Sequence, residues 1–254
     1  MSFQLVDGAW VPCGSLPLDD RAFRYGMSVF ETIAILCGQP LFFDAHAERL
    51  ARASADSGMP VPVIPVPPVP ARFDGVCRIY HTAGPGGPGD PLRGSLYALF
   101  EALEVGGSFP PARVTTIGFP FVGRPGGWKS GNYWQHVDAL VAARCAGCCE
   151  GLLFNPSGAL VSASMANVFL KIDGRWATPA CDCGARDGVV REWVIGRVAV
   201  NSQVLGPEAV AGCSAAFLTN SRTGVRMIAE IDGRPLAPDD DGLQSRYCEE
   251  VLGS

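Results

Sequence analysis

The stretch GRPGGWKSGNYW, residues 123–134, contains Lys129, one of only two lysines among the 20 basic residues of the chain. The lysine follows a glycine pair and a tryptophan. In an apolar, crowded cleft, burial lowers the pKa of a lysine because it disfavours the charged ammonium. Such a lysine is a nucleophilic amine that can form a Schiff base with a carbonyl compound. A surface lysine before a helix is the alternative that this stretch leaves open.

The glycine- and proline-rich residues 122–127, just before this lysine, predict a linker. A chain of 254 residues is long enough for two modest domains. We therefore predict a small α/β domain at 1–121 and a larger β-rich domain at 128–254 that carries Lys129. A ligand is expected between the two domains, because pockets concentrate at domain interfaces.

Sequence patterns in the first domain predict a sheet with one long helix. Asp7 and Gly8 are typical of a hairpin turn, and Asp44 is placed to cap the helix. Residues 60–70 contain six prolines, which forbid a regular helix or a central strand. The predicted elements are strands at 27–36, 76–83, 94–103 and 113–121 and a helix at 44–58.

The second domain is predicted to be β-rich with helices outside the sheet. Its strands are separated by turn sequences such as Pro-Ser-Gly and Asp-Gly. The predicted elements are helices at 132–147, 188–200 and 242–252 and strands at 151–155, 159–163, 167–172, 175–179, 215–220 and 225–231.

Charge and composition exclude several classes of function. The net charge of −5 and the isoelectric point near 5.2 argue against a surface for nucleic acid or anionic membranes, because both require clustered cationic side chains. No apolar run approaches the roughly 18 residues that cross a bilayer, and the N-terminus lacks a signal-peptide pattern. We expect a cytoplasmic protein that binds a small metabolite.

The ten cysteines show no disulfide framework and are expected to be reduced. Residues 145–149 (CAGCC) and 181–183 (CDC) could donate thiolates to zinc, but their spacing departs from that of a zinc knuckle. We expect no metal.

Six motifs in a fixed order link Lys129 to a known family. They are DDRAFRYGMSVFET (19–32), FDAHAERLARAS (43–54), WKSGNY (128–133), GALVSASMANVF (158–169), DGVVR (187–191) and LTNSRTGV (218–225). This order resembles the fold-type IV, class IV pyridoxal-phosphate enzymes, which include branched-chain aminotransferases, D-amino-acid aminotransferases and aminodeoxychorismate lyases. The resemblance covers about residues 5–230. It implies an α+β fold with a small α/β domain, a larger pseudo-barrel domain, and pyridoxal 5'-phosphate as the cofactor.

The resemblance also implies roles for individual residues. Lys129 matches the lysine that holds the cofactor and moves the proton, Tyr133 the tyrosine that bonds the cofactor's phenolic oxygen, and Glu31 a carboxylate near the lysine. Four residues match positions that bind the cofactor phosphate: Arg49, Val189, Val190 and Ser221. A guanidinium fork and the first N–H groups of a helix both suit a phosphate.

Two departures from the family pattern affect the cofactor site. Val190 stands where the family has a threonine, so one hydroxyl is lost. Ser162 stands where the family has the glutamate that pairs with the protonated pyridine nitrogen. An opposite charge keeps that nitrogen protonated, whereas a serine can only hydrogen-bond a largely neutral ring.

The substrate side is less defined by the sequence. Tyr25 resembles a residue that lines the substrate side in the branched-chain branch, and His81 and Arg124 are polar candidates for a substrate carboxylate. Pro88 and Asp90 break the loop patterns of the D-amino-acid aminotransferases and the lyases.

The resemblance predicts an enzyme that moves an amino group between an amino acid and a 2-oxo acid. Two alternatives stay open: a lyase of the aminodeoxychorismate type that releases pyruvate, and a homologue that has lost the pyridoxal-phosphate chemistry because of Ser162. Since the family builds its substrate pocket partly from a partner subunit, a homodimer is expected.

Overall fold

The structure, a computed structural model, describes residues 1–106, 109–122 and 127–253. Contacts within the chain divide it into two compact units. The first unit comprises Met1–Gly106 and Lys129–Tyr133, and the second comprises Gly107–Trp128 and Trp134–Ser254. The short segment around Lys129 therefore belongs to the first unit, whereas we expected it in the second.

The first unit is built on an antiparallel sheet of six strands in the order β2-β1-β6-β5-β3-β4. Its elements are β1 (Ser2–Val6), β2 (Ala9–Pro12), α1 (Arg21–Tyr25), β3 (Ser28–Leu36), β4 (Gln39–Pro40), α2 (Phe43–Asp56), β5 (Gly75–Thr82) and β6 (Ser95–Glu101). The predicted hairpin at Asp7 and Gly8 is confirmed, because both residues have positive φ angles, 48° and 80°, as a two-residue hairpin turn requires.

The strand β3 and the helix α2 pack against each other in this unit. β3 is rich in β-branched and aromatic residues and is buried along most of its length. His46, Leu50 and Ser54 lie four residues apart on one face of α2, and all three are buried. The predicted helix is confirmed, but Asp44 is not its cap. Phe42 precedes the helix without a side-chain hydrogen bond, and Asp44 lies in the first turn, where a negative charge is favourable.

The second unit contains a mixed sheet of nine strands. Its path is β12-β11-β10-β13-β14-β7-β8-β9, with β15 paired to β14. Its strands and α-helices are β7 (Ala112–Thr116), α3 (Trp134–Cys145), β8 (Glu150–Phe154), β9 (Leu160–Ala163), β10 (Asn167–Ile172), β11 (Arg175–Pro179), α4 (Val189–Ile195), β12 (Val200–Gln203), α5 (Pro207–Gly212), β13 (Ala215–Asn220), β14 (Gly224–Ile231), β15 (Arg234–Pro235) and α6 (Leu243–Tyr247). The mixture of helices and sheets is the α+β class that we predicted.

The strand β7 corrects the predicted boundary at residue 121. We expected this strand to close the first domain, but it pairs in parallel with β14 and with β8 of the second unit. The contact-defined boundary therefore falls at Gly106. Most of the predicted linker at 122–127 lies outside the described residues.

Each unit has its own apolar core. In the second unit, Leu152, Val168 and Leu218 are fully buried in the largest cluster. In the first unit, Ile33 and Ile79 are equally buried. None of the helices in the described part of the chain is long and apolar enough to cross a membrane. The ten cysteines are all free thiols, and the described residues contain no group of side chains suited to a metal ion.

Candidate functional site

The segment that carries Lys129 pairs with the first residues of β3. The amide of Phe30 donates to the Lys129 carbonyl at 2.7 Å, and the amide of Gly131 donates to the Ser28 carbonyl at 2.9 Å. A side chain at Gly131 would lie only 2.5 Å from the Ser28 hydroxyl oxygen, so this approach requires a glycine. The backbone pairing therefore fixes the position on β3 from which the Lys129 side chain projects.

The side chain of Lys129 lies beside two aromatic rings. Its ammonium is 4.9 Å from the ring centroid of Phe30 and 5.7 Å from that of Tyr133, and it donates to the Thr32 hydroxyl at 3.1 Å. The rings of Phe30 and Tyr133 pack edge to face at 5.3 Å. The structure thus brings Lys129 and Tyr133 together, as predicted. Phe30 and Thr32 complete this cluster and were not predicted, although both lie in the quoted SVFET motif.

Glu31 makes its described contacts with α2. Its buried carboxylate accepts from His46 Nδ1 at 2.8 Å and lies 3.7 Å from Arg49 Nε. Side chains alternate along a strand, and directly paired residues share a face, so Phe30, Thr32 and Lys129 lie on the face opposite to Glu31. The described contacts of Glu31 are thus with His46 and Arg49, and its predicted place near the lysine stays a prediction.

The three predicted substrate residues are placed differently from one another. Tyr25 is 38% exposed at the end of α1, with the Arg24 guanidinium 4.9 Å from its ring centroid. His81 is buried and hydrogen-bonds the Ser54 hydroxyl at 2.7 Å. Burial lowers the pKa of His81 to about 4, so the ring is neutral near pH 7. A neutral, buried ring favours a structural role over carboxylate binding, and Arg124 lies outside the described residues.

Ser162 lies on β9 in the second unit, opposite Leu153 of β8. The side chain is buried, and its hydroxyl oxygen has no hydrogen-bond partner among the described residues. An unsatisfied buried hydroxyl costs free energy, so such a group calls for an external partner. Thr219 Oγ1 on β13 is likewise buried without a described partner.

Glu150 fixes the turn that follows Ser162. Its carboxylate accepts hydrogen bonds from the Ser164 hydroxyl and from the Met165 amide. Burial raises the pKa of Glu150, and these two hydrogen bonds partly oppose the shift. His136 hydrogen-bonds the Ser164 carbonyl at 2.8 Å. Glu150 was not predicted, because nothing in its local sequence marks it as more than a strand residue.

The predicted phosphate-binding positions in this unit lie at two separate elements. Val189 and Val190 begin α4 and are buried, and Gly188 precedes them without a side-chain cap. A side chain at Gly188 would collide with Asn167 Oδ1, while Asn167 Nδ2 donates to the Arg186 carbonyl at 2.7 Å. These contacts hold the start of α4 against β10. Ser221 follows β13 in a turn and is half-buried.

Comparison with known proteins shows which family the chain resembles in sequence. The family model for class IV amino-transferases matches residues 69–231. Over 175 residues the chain is 27% identical to the chloroplastic D-amino-acid transaminase of Arabidopsis thaliana; the match covers 63% of this chain and 46% of that protein. The chain therefore spans less than half the length of this relative.

Two solved structures share the fold. The branched-chain aminotransferase of the archaeon Thermoproteus uzoniensis, solved with norvaline, has a TM-score of 0.87 and 22% identity, covering 100% of this chain and 96% of that one. The 4-amino-4-deoxychorismate lyase of Pseudomonas aeruginosa has a TM-score of 0.83 and 20% identity, covering 98% and 99%. These likenesses confirm the predicted fold-type IV architecture. With the family model matching well over half of its residues, the chain belongs to the class IV aminotransferase family.

Proposed function

We propose that this protein is a pyridoxal-phosphate-dependent aminotransferase that moves an amino group from an amino acid to a 2-oxo acid. The observation that carries the proposal is the placement of Lys129 beside the rings of Phe30 and Tyr133, with its amine donating a hydrogen bond to the Thr32 hydroxyl. The family of class IV aminotransferases depends on pyridoxal phosphate, which supports the choice of cofactor.

Two observations in the second unit test whether the residues fit the cofactor. The buried Ser162 hydroxyl is without a described hydrogen-bond partner, and a pyridine nitrogen would accept from it. The start of α4 is not capped by a side chain, and a phosphate would accept from its first amides. The residues present therefore fit the group.

Each residue then has a proposed part in holding the cofactor. Lys129 would bind its carbonyl carbon, Tyr133 its phenolic oxygen, and Ser162 its ring nitrogen. The phosphate would be held by Arg49, Ser221 and the amides of Val189 and Val190. When bound, pyridoxal phosphate supplies an electron sink that weakens the bonds at the amino-acid α-carbon.

The protein's own part in the reaction is proton transfer and orientation. The amine of Lys129 would take and return the proton at the α-carbon, a role that requires it to lie within hydrogen-bond reach of that proton. The hydroxyl of Thr32 accepts from this amine at 3.1 Å and so restricts where it points. Glu31 acts through Arg49 in this proposal, because its carboxylate lies 3.7 Å from Arg49 Nε and places a counter-charge beside the guanidinium.

The two lysines of the chain provide a matched test. Incubation with pyridoxal phosphate should give the wild type an absorbance band typical of the lysine-bound cofactor. Lys129→Arg should abolish the band and the amino transfer. Lys171→Arg is the control, because Lys171 bonds Asp239 and Asp241 at 2.8 and 2.9 Å and an arginine keeps that charge. No band in the wild type, or a band that survives in Lys129→Arg, would overturn the proposal.

Ser162 favours one alternative, an elimination of the lyase type that releases pyruvate. A hydroxyl leaves the ring nitrogen uncharged, which weakens the electron sink that amino transfer uses. Product analysis separates the reactions: pyruvate formed without any 2-oxo acid indicates the lyase, and dependence on an added 2-oxo acid indicates the transferase. A homologue that has lost the chemistry would show neither product and no cofactor band.

We also infer a homodimer. Leu18 and Phe23 in the first unit are 74% and 65% exposed, and such large apolar side chains at the surface are typical of interaction sites when they cluster.

A further inference from the structure

Arg21 is among the largest fully buried side chains in the described part of the chain, with 0% exposure. Its backbone starts α1, and its guanidinium points into the loop at residues 83–91. Among the described residues, no carboxylate lies within ion-pair distance of it. All its side-chain nitrogens donate to backbone carbonyls instead. These carbonyls belong to Ala83 (2.6 Å), Gly84 (3.0 Å), Pro85 (3.3 Å), Gly87 (3.3 Å), Asp90 (2.8 Å) and Pro91 (3.1 Å).

Burying a guanidinium is costly unless every donor is satisfied, and here the carbonyls of a single loop replace water. The loop in turn depends on Arg21. Its sequence AGPGGPGDP is too rich in glycine and proline to form a helix or a strand of its own. A lysine could not substitute, because its three donors lack the planar fork that reaches several carbonyls at once.

The prolines of the loop suit this arrangement. Three of the carbonyls that Arg21 binds, those of Gly84, Gly87 and Asp90, are each followed by proline. Such a peptide unit has no N–H group on its other side. Turning these carbonyls inward therefore leaves no amide donor unpaired on the outer surface of the loop.

The loop and the Lys129 segment flank the same end of β3. Thr82, the last residue before the loop, is paired with Ser28 on one side of that strand. On the other side, the amide of Gly131 donates to the Ser28 carbonyl. Neighbouring strands lie nearly 5 Å apart, so the start of the loop and the Lys129 segment are separated by about 10 Å. The extended side chain of a lysine and a small amino acid are each roughly 6 Å long, so a substrate held at the amine of Lys129 is within reach of the loop.

We propose that Arg21 is a positioning residue for the reaction: by gathering the carbonyls of residues 83–91, it fixes this loop as a wall against which the amino-acid substrate binds. This inference rests on the proposed function for its choice of substrate. Arg21 itself touches neither substrate nor cofactor, since all its donors are used within the loop.

Arg21→Lys tests the proposal, with Arg24→Lys as a matched control. Arg24 lies on the same helix but is exposed, with one hydrogen bond to the loop, to the Gly86 carbonyl at 3.3 Å. With DL-norvaline as donor and 2-oxoglutarate as acceptor, Arg21→Lys should raise KM about tenfold or more with kcat changed less than about threefold. Hydrogen exchange should quicken in a peptide spanning residues 83–94 and stay unchanged in β3. Arg24→Lys should match the wild type in both measurements.

Chemical rescue covers the case in which Arg21→Lys folds poorly. Arg21→Ala leaves a cavity lined by carbonyls that a free guanidinium ion fits. Millimolar guanidinium should therefore slow the exchange of residues 83–94 and lower KM again, whereas the same concentration of urea should do neither. The proposal would be overturned if hydrogen exchange quickened in Arg21→Lys without any change in KM. It would also be overturned if Arg21→Lys impaired KM, kcat and protection from exchange throughout the protein to the same degree.

A failure of the proposed function gives a different result. If the wild type transfers no amino group, calorimetric titration of the pyridoxal-phosphate-treated protein with norvaline measures directly how tightly the amino acid binds. The inference is upheld, even without catalytic turnover, if Arg21→Lys binds norvaline more weakly than the wild type and guanidinium restores norvaline binding in Arg21→Ala. Norvaline binding that is absent, or identical in wild type and Arg21→Lys, refutes it.

Discussion

In the proposed function, the hydroxyl of Ser162 determines how strongly the cofactor ring would draw electrons. Ser162→Glu should place a carboxylate at the ring nitrogen and raise its pKa, because an opposite charge favours the protonated form. The single-turnover rate with one amino acid, followed by stopped-flow absorbance, should rise roughly tenfold, which corresponds to about 1.4 kcal/mol.

The longer side chain is a cost in this test, since overpacking a tight site destabilises by about 1 to 3 kcal/mol. Thermal unfolding of the mutant with bound cofactor therefore accompanies the rate measurement. Ser162→Ala, which removes the donor, should be slower than the wild type. A Ser162→Glu enzyme that is folded, binds pyridoxal phosphate and yet reacts more slowly contradicts the role of Ser162.

Glu150 should make stability depend on pH. Its pKa in the folded protein is raised by burial, so the native state holds the proton more tightly than the unfolded state. Stability is then full below the ordinary glutamate pKa of 4.5 and falls as pH rises through the folded value. Glu150→Gln should remove this fall, and each tenfold difference in proton affinity is worth about 1.4 kcal/mol.

Urea unfolding from pH 4 to pH 8 measures this effect. The midpoint for Glu150→Gln should exceed that of the wild type at high pH and converge with it at low pH. Glu249→Gln on the exposed C-terminal turn is the control and should follow the wild type throughout. If the urea midpoints of Glu150→Gln and the wild type change in parallel with pH, Glu150 ionises in the folded protein without a cost in unfolding free energy.

At the scale of elements, the pairing of the Lys129 segment with β3 depends on Gly131. Gly131→Ala would set a methyl group 2.5 Å from the Ser28 hydroxyl oxygen and 3.1 Å from the Gly26 carbonyl oxygen. We expect a loss of about 1 to 3 kcal/mol in unfolding free energy and weaker cofactor binding by absorbance titration. Gly14→Ala is the control, because nothing lies within 4 Å of the position that its methyl group would take.

A second substitution sharpens this prediction. Ser28→Ala removes the nearest colliding atom. The double mutant Gly131→Ala with Ser28→Ala should therefore recover part of the unfolding free energy lost in Gly131→Ala, so the effects of the two substitutions should not be additive. Additive losses would show that the collision with Ser28 is not the cause.

Sequence patterns predicted the individual helices and strands better than they predicted which strands pair with each other. The periodicity of α2 and the glycine in the β1–β2 turn are local signals, and both elements were found. The strand β7 was assigned to the wrong unit, because its partners β14 and β8 are set by tertiary packing and its own residues fit either sheet. Arg21 was missed for a similar reason: backbone carbonyls that bind it have no side-chain signature.

The candidate site was predicted in part. The motif around Lys129 and Tyr133 contains two side chains that lie close together in the structure, and their roles stay predictions. The direction of the Glu31 side chain follows from strand alternation once the register of β3 is known. His81 was a candidate as a polar residue near the loop that could meet a substrate carboxylate, and its burial, which keeps the ring neutral, is visible only in the structure.

At the scale of the whole molecule, we predict a dimer in solution. Static light scattering at micromolar concentration should give a mass near twice the 26.8 kDa of one chain. Leu18→Glu together with Phe23→Glu should shift the mass towards the monomer, because charges at an apolar interface are costly to bury. Val63→Glu in the proline-rich segment, at 86% exposure, is the control. A monomer mass for the wild type would contradict the dimer.

The first unit takes its residues from two separate parts of the chain, Met1–Gly106 and Lys129–Tyr133. No single cut in the polypeptide can therefore release both units intact. A truncated gene ending at residue 106 would encode the sheet of the first unit with the edge of β3 uncovered at Ser28–Phe30, and an open strand edge recruits other chains. Such a fragment should aggregate on expression, and a synthetic peptide of residues 127–134 supplied in trans should keep it in solution.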